Sequence, residues 1–250
     1  MMGSFSRSYV NIRSWNTNNY VYINYYRRRI DMKLSLNNVT YAYRNKYQTV
    51  YAVNGINYGF EHGTLYAIVG KSGSGKTTLL SVLAGLDLPT AGDVSYEGRK
   101  TSDIDRDKYR RDNVAVIYQG YNLFPLLTAI ENVMYPLQLK KVSDKEAMAI
   151  AAEKIKEVGL SEEHFKRYPS MLSGGEQQRI AIARALASHA DVILADEPTG
   201  NLDTENGRNI ISILKRLAHE WDYCVIVVTH DMEIANEADV VLRMSDGKIE

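Results

Sequence analysis

Four short runs of the chain are continuously apolar, and they constrain its fold more than any other feature. They lie at residues 65–69, 114–117, 192–195 and 224–228. Because they do not alternate between apolar and polar residues, they are typical of strands buried on both faces of a parallel sheet. Helical patterns separate them, which is the order that builds an α/β sheet covered by helices. With 250 residues, the chain is long enough for one such domain.

Each run ends beside residues that can carry chemistry. In open α/β sheets, ligands bind beyond the carboxyl ends of the strands. We therefore expect the four strand ends to converge on one site, although they are far apart in the sequence.

The first run is followed by a phosphate-binding pattern. Residues 70–77 match G-x-x-x-x-G-K-[ST]. The glycines let the backbone turn tightly and aim its N–H groups at a phosphate, and the helix expected from Thr78 adds its positive end. Lys76 would bring charge to the terminal phosphates, and Thr77 would ligate Mg²⁺. The candidate nucleotide-binding residues of this loop are Gly70, Lys71, Ser72, Gly73, Ser74, Gly75, Lys76, Thr77 and Thr78.

The third run ends in two carboxylates, Asp196 and Glu197. Adjacent acids at a dry strand end repel each other unless a cation lies nearby, and Mg²⁺ with a nucleotide meets that need. Side chains alternate along an extended segment, so the two acids are expected to point in different directions. We predict that Asp196 serves the metal shell and that Glu197 polarises the attacking water as general base.

Residues 172–179 read Leu-Ser-Gly-Gly-Glu-Gln-Gln-Arg, and here the chain resembles the ABC ATPase family, whose signature reads LSGGQ or LSGGE. Ser173 and Glu176 form a capping box that starts a helix. Capping does not explain Gly174 and Gly175, each of which costs up to about 1 kcal/mol relative to Ala in a helix. The two glycines are explained if a phosphate must approach the unpaired backbone N–H groups at the start of this helix. These four residues are therefore candidates for nucleotide binding.

The resemblance runs through nearly all of residues 33–250 and implies further site residues. Gln119, after the second run, resembles the Q-loop glutamine, which touches the metal and its water beside the membrane-domain interface. Asn201-Leu202-Asp203 resembles the D-loop, which crosses to the other subunit and whose aspartate, Asp203, is a further candidate for nucleotide binding. His230, after the fourth run, resembles the switch histidine that contacts the γ-phosphate.

Tyr43 aligns with the aromatic residue that stacks on adenine in the family, although Tyr41 and Tyr47 are near enough to take that role. Residues 85–92 and 198–203 look most like the branch that serves lipoprotein release, macrolide export and antimicrobial-peptide export.

The family fold implied is a P-loop NTPase core with a mostly parallel sheet, a small N-terminal antiparallel β region and a helical lobe at about residues 120–190. The resemblance further implies that two cassettes, as a homodimer or a pseudo-symmetric dimer, clamp two MgATP molecules head to tail. The signature of one copy would then face the P-loop of the other. ATP and Mg²⁺ are the expected cofactors.

The apolar runs fall far below the roughly 18 residues of a membrane-spanning helix. We therefore expect separate membrane permease subunits to form the translocation path, with this chain held at the cytoplasmic face and powering transport, in the direction of export for this branch. Thirty Lys and Arg balance thirty Asp and Glu, so no overall field recruits nucleic acid. The single cysteine, Cys224, lies in an apolar run and is expected to pack in the core.

Two other functions stay open on the sequence. A mechanotransmitter of the cell-division type would use the same motifs to drive a membrane partner that switches an enzyme outside the cell. A soluble ABC ATPase acting on DNA or ribosomes fits less well with the neutral charge and the single cassette. The cargo cannot be read from the chain, because its pocket would lie in the partner.

Residues 1–30 differ sharply in composition from the rest, with five arginines and no Asp or Glu. They contain no apolar run of signal-peptide length and match a transit peptide only loosely. We expect Met32 to be the natural start. Residues 1–31 would then be misassigned upstream translation or a disordered tail, and residues 32–250 the ABC ATPase domain.

Overall fold

A computed structural model of the chain describes residues 32–250. The proposals about residues 1–31 lie outside the described residues. The strands, in chain order, are β1 (Leu34–Arg44), β2 (Thr49–Phe60), β3 (Thr64–Val69), β4 (Ala91–Tyr96), β5 (Arg99–Lys100), β6 (Val114–Tyr118), β7 (Val192–Asp196), β8 (Cys224–Thr229), β9 (Val240–Ser245) and β10 (Lys248–Ile249). The helices are α1 (Lys76–Leu83), α2 (Arg106–Asp112), α3 (Ala129–Leu139), α4 (Asp144–Glu157), α5 (Gly174–Ala187), α6 (Thr204–His219) and α7 (Met232–Glu237).

The larger sheet has the order β10-β9-β3-β8-β7-β6, and all neighbours except β10 and β9 run parallel. The four apolar runs form β3, β6, β7 and β8, so the predicted parallel core is confirmed. The register aligns the carboxyl ends: Val69 pairs with Thr229, and Asp196 pairs with Val228. This alignment brings the residues after each strand to one edge of the sheet.

Strand β8 shows why these runs contain no polar residue. Val225 and Val227 pack into a core formed with helices α3 to α6, whereas Ile226 and Val228 pack into a second core with α1 and the smaller sheet. Cys224 also lies in the second core, where burial raises the pKa of its thiol. A strand between two apolar layers has no polar face.

The smaller sheet is antiparallel, with the order β2-β1-β4-β5. It confirms the predicted N-terminal antiparallel region. In the predicted helical stretch, α3, α4 and α5 pack on one another, and α5 also contacts β6 and α6. Among the helices of residues 32–250, none is long and apolar enough to cross a membrane.

Polar caps begin the helices of this stretch. Thr128 and Ser173 each form the full reciprocal capping box with the Glu three residues later. At Ser143, only the bond from the Glu146 N–H to Ser143 Oγ forms, at 3.4 Å. Each such cap satisfies backbone N–H groups that the first turn of a helix leaves unpaired.

A buried lysine ties the first strand to the amino end of the parallel sheet. Lys33 is only 2% exposed and forms ion pairs with Asp191 and Glu97. Burial alone would lower its pKa, but the hydrogen bonds to these two acids prevail, so the pKa is raised. Tyr96 donates a hydrogen bond to Asp191 Oδ1 at 3.0 Å. Because the buried cation is paired with two acids, the cost of its desolvation is offset, and the network joins the two sheets.

Candidate nucleotide-hydrolysis site

The P-loop runs from the end of β3 into α1. At two of its positions the neighbouring backbone leaves no room for a side chain. A Cβ on Gly70 would lie 2.2 Å from the carbonyl oxygen of Met244, and one on Gly75 would lie 1.8 Å from that of Ala52. Gly75 also has a left-handed φ of 103°. This turn lets α1 begin at Lys76, two residues before the Thr78 start that the sequence suggested.

Polar groups inside the loop form a cradle for an anion. Lys76 Nζ donates to the carbonyl oxygens of Gly70 (2.7 Å) and Lys71 (3.1 Å). Among the described residues, the buried Ser74 Oγ has no hydrogen-bond partner. A cation, an unpaired hydroxyl and the N–H groups of the first turn of α1 together fit the terminal phosphates of a nucleotide.

The loop is linked to β7 through its threonine. Thr77 Oγ1 donates a hydrogen bond to Asp196 Oδ1 at 3.3 Å. Burial raises the pKa of the Asp196 carboxyl; the bond from Thr77 opposes this, and the charge of Glu197 adds to it. A hydroxyl and a carboxylate are the hard oxygen ligands that Mg²⁺ takes beside a nucleotide, so these two side chains fit that ion.

Glu197 turns away from Asp196 and contacts the end of β8. Its Oε2 accepts hydrogen bonds from Thr229 Oγ1 (2.8 Å) and from the His230 N–H (3.3 Å). His230 Nδ1 donates to Oε1 at 2.8 Å. Glu197 itself has a left-handed φ of 46°, which directs its side chain along the sheet edge. The strand ends therefore bring Glu197 and His230 together, close to Asp196.

Gln119 follows β6 and is bound to the loop between β7 and α6. Its Nε2 donates to Asn201 Oδ1 at 3.4 Å, and Asn201 Nδ2 donates to the Gln119 carbonyl oxygen at 3.0 Å. A Cβ on Gly200 would lie 2.7 Å from Gln119 Nε2, so this contact needs a glycine.

Tyr43 is the tyrosine that reaches the P-loop helix. Its hydroxyl lies 3.2 Å from Thr78 Oγ1, and its ring meets the edge of Tyr41 at a centroid distance of 5.1 Å. Tyr43 is 55% exposed, whereas Tyr47 is 89% exposed in the loop after β1.

The signature residues begin α5, away from the P-loop. Ser173 Oγ accepts from the Glu176 N–H (3.3 Å), and Glu176 Oε2 accepts from the Ser173 N–H (2.7 Å). His164 Nε2 donates to Glu176 Oε1 at 3.1 Å, since the Ser161 N–H occupies the other ring nitrogen. Burial pushes the pKa of Glu176 up, but these hydrogen bonds outweigh it and lower the pKa.

Asp203 caps α6 and, like the signature, stands apart from the P-loop. Within residues 32–250, no hydrogen bond or ion pair joins residues 173–176 or Asp203 to the loop at residues 70–78. The described residues therefore join Thr77 to Asp196, Glu197 to His230 and Tyr43 to the P-loop helix, whereas the signature residues and Asp203 form no such bond to the loop.

The two signature glycines have a packing reason that the sequence did not reveal. A Cβ on Gly174 would lie 2.7 Å from the Tyr121 hydroxyl, and one on Gly175 would lie 2.4 Å from Asn206 Oδ1. Phosphate approach is therefore not the only reason for glycine at these two positions, because neighbouring side chains fill the same space.

Thr229 is a residue of the candidate site that the sequence reasoning missed. Thr229 is completely buried at the end of an otherwise apolar strand and binds Glu197. A polar residue in that position was a usable signal, since buried hydroxyls need partners. Asn201 was expected only as part of the D-loop, and its bonds to Gln119 had no signal in the sequence.

A phosphate loop and paired acids at the carboxyl edge of a parallel sheet define a P-loop nucleotide-hydrolysing cassette. Residues 53–200 match the ABC transporter family. The ABC transporter ATP-binding protein MJ0796 of Methanocaldococcus jannaschii is 43% identical over 223 residues, which cover 87% of this chain and 95% of that protein. The lipoprotein-releasing system ATP-binding protein LolD 2 of Rhodopirellula baltica is 44% identical over 208 residues, covering 79% and 81%.

A dimeric structure of the cassette MJ0796 in a post-hydrolysis state, bound to ADP and Pi, matches the fold with a TM-score of 0.81. The match has 41% identity and covers 87% of this chain and 96% of that one. The chain belongs to the ABC transporter family and is one of its ATP-hydrolysing cassettes.

Proposed function

We propose that the chain powers substrate export by separate membrane permease subunits, to which it is bound at the cytoplasmic face of the cell membrane. The observation that carries the proposal is the convergence of Thr77, Asp196, Glu197 and His230 at one sheet edge. The relative LolD 2, which is named for lipoprotein release, supports the direction of transport.

Binding of ATP is assigned to the P-loop and Tyr43. Lys76 exchanges its two loop carbonyls for the β- and γ-phosphates, and Ser74 gains a partner for its buried hydroxyl. The exposed face of the Tyr43 ring stacks on adenine. Thr77 and Asp196 would hold Mg²⁺, and Gln119 would contact the ion from the end of β6. The ion would supply positive charge beside the phosphates.

Hydrolysis is assigned to Glu197 and His230. The Glu197 carboxylate accepts a proton from the attacking water, while its hydrogen bonds from Thr229 and from the backbone of His230 fix its direction. His230 reaches the γ-phosphate from the neighbouring strand end. The side chain of His230 is largely exposed, so it has room to turn from Glu197 towards the phosphate.

Two copies of the cassette complete each site, as a homodimer or as a pseudo-symmetric dimer. Within residues 32–250, the signature and Asp203 form no hydrogen bond or ion pair with the P-loop, which leaves them available to face that of another chain. The dimeric form of MJ0796 supports this arrangement.

A groove beside the Q-loop segment is assigned to the permease. It has a volume of about 310 Å³ and lies between β6, α3 and α5. Phe124, Tyr135 and Leu139 line it with partly exposed apolar surface, and Arg184 lies at its base. Arg184 donates to the carbonyl oxygens of Tyr121 and Asn122, so a docked segment would contact the same residues that follow Gln119.

The base assignment is tested by Glu197→Gln. An amide cannot take a proton from water, so kcat is expected to fall by at least about a hundredfold, while ATP binding is kept. The variant is also expected to accumulate as an ATP-bound dimer, which size-exclusion chromatography detects. Hydrolysis close to the wild-type rate would remove Glu197 from this role.

The shared site is tested by mixing two inactive variants. Lys76→Ala spoils the P-loop, and Ser173→Asp places a carboxylate on the signature while it keeps a good helix cap. Ser173 suits this test better than Gly175, because any side chain at Gly175 would strike Asn206.

With free exchange, half of the dimers are mixed and each has one intact site, so about a quarter of the wild-type activity is expected. Ser173→Asn, which caps without charge, is the matched control. Failure of the mixture to recover activity, with heterodimers present, would contradict independent shared sites.

Detergent co-purification identifies the membrane partner.

A further inference from the structure

The starts of helices α5 and α6 meet through one side chain. Asn206 is the third residue of α6, and Gly175 is the second residue of α5. The space that a Cβ on Gly175 would need is filled by Asn206: its Oδ1, Cγ and Cβ lie 2.4, 2.6 and 3.1 Å from that point. Gly175 is buried and Asn206 is half-buried, so the contact lies near the surface of the chain but is largely shielded from solvent.

The same side chain also holds Asp203. The backbone N–H of Asn206 donates to Asp203 Oδ1 at 2.9 Å, and its side-chain Nδ2 donates to Oδ2 at 2.7 Å. Both bonds lower the pKa of Asp203 and keep the carboxylate ionised, and the backbone bond has the larger effect. The carboxamide therefore has its nitrogen end on Asp203 and its oxygen end against Gly175.

We propose that Asn206 is a positioning residue that fixes the signature N–H groups and the Asp203 carboxylate relative to each other. This inference rests on the shared site proposed above, in which both groups face the nucleotide of the other subunit. Since packed groups transmit displacements, a shift of α6 by a few tenths of an ångström moves the start of α5 with it. Asn206 thus holds the signature N–H groups and the Asp203 carboxylate, which are distant in the sequence, as one rigid half of the shared site.

The capping of α6 does not require this side chain. The backbone N–H of Asn206 satisfies the cap by itself, and any residue at this position supplies it. Asn206→Ala therefore keeps the cap but removes the bond to Oδ2 and the contact with Gly175. Asn206→Asp keeps the shape but replaces a donor with a charge beside Asp203, so repulsion replaces attraction.

The first test measures ATP-dependent dimerisation by sedimentation in the Glu197→Gln background. Asn206→Ala is expected to weaken the dimer about fivefold, or about 1 kcal/mol shared between the two half-sites, because each half-site is less well preorganised. Asn206→Asp is expected to weaken it more. Both variants should melt within a few degrees of their parent. An unchanged dimer dissociation constant in Asn206→Ala would overturn the inference.

A second test uses the double-mutant cycle of Gly175→Ala with Asn206→Ala. In the parent, Gly175→Ala should weaken the dimer and lower the melting temperature, because the new methyl group strikes Asn206. In the Asn206→Ala background the clash is largely relieved, and alanine has a higher helix propensity than glycine. Gly175→Ala should then cause less than half of the loss of dimer affinity, and of melting temperature, that it causes in the parent. Additive effects would show that Asn206 does not set the space at Gly175.

The shared site and the positioning role of Asn206 are contradicted by different outcomes. A Glu197→Gln parent that binds ATP but forms no dimer would overturn the shared site and this inference with it. A parent that dimerises, with no coupling between Asn206 and Gly175, would overturn the inference alone.

Discussion

Replacement of Thr229 by valine tests how much the orientation of Glu197 contributes to hydrolysis. Thr229 is completely buried; its hydroxyl donates to Glu197 Oε2 at 2.8 Å and accepts from the Asp231 N–H at 2.9 Å. Valine has the same shape, so the substitution opens no cavity and removes only these two bonds.

The magnitude follows from the bonds that are lost. A hydrogen bond to a charged group contributes about 1.5–3 kcal/mol, and Glu197 keeps only its bonds from His230. If this orientation is needed only in the transition state, kcat should fall about 10–100-fold, with little change in KM for ATP. The unpaired Asp231 N–H should lower the free energy of unfolding by about 1–2 kcal/mol.

Steady-state ATP hydrolysis and thermal melting measure the two effects separately. Thr229→Ser is the matched control, because it keeps the hydroxyl and should stay within about threefold of the wild-type kcat. A valine variant with wild-type kcat would refute the reasoning, since Glu197 would then need no support from β8. Equal losses in the serine and valine variants would point to packing instead.

Three further predictions address other parts of the chain. Burial raises the pKa of Asp196 in the folded protein above its value in the unfolded chain. The nucleotide-free protein therefore loses stability as the pH rises from the unfolded pKa to the folded pKa of this carboxyl. Asp196→Asn should therefore raise the melting temperature at pH 7 by about 2 °C, with a smaller gain near pH 4, and should abolish the stabilisation by MgATP. Lys33→Met removes the buried charge itself and leaves Asp191, which is 36% exposed, with its bond from Tyr96, so the free energy of unfolding should fall by only about 1 kcal/mol, read from urea denaturation. Tyr43→Ala should raise KM for ATP about fivefold through loss of an aromatic stack, whereas Tyr43→Phe should change it by less than twofold.

The parallel core was predictable because its signal is local. Each of β3, β6, β7 and β8 lies between two apolar layers, so its own residues report its burial. The phosphate loop and the paired acids were predictable for the same reason, since each motif follows directly from one strand.

The contacts between segments were not predictable. Asn206 and Gly175 meet only because α5 and α6 begin side by side, and nothing in either stretch of sequence indicates the other. The sequence placed the start of α1 two residues late. The helix begins directly after a left-handed turn at Gly75, and that turn depends on the close approach of β2 at Ala52. Propensity cannot supply such information, since the packing of distant strands determines it.

The position of Cys224 makes the chain a convenient host for site-directed probes. It is the single cysteine of the sequence; it lies completely inside the second core, and burial holds its thiol in the unreactive protonated form. Maleimide dyes and cross-linkers will therefore leave the native protein unlabelled. One cysteine introduced at an exposed position such as Met232 or Met171 gives a unique attachment point, so distances between two cassettes can be followed by fluorescence without first removing a native thiol.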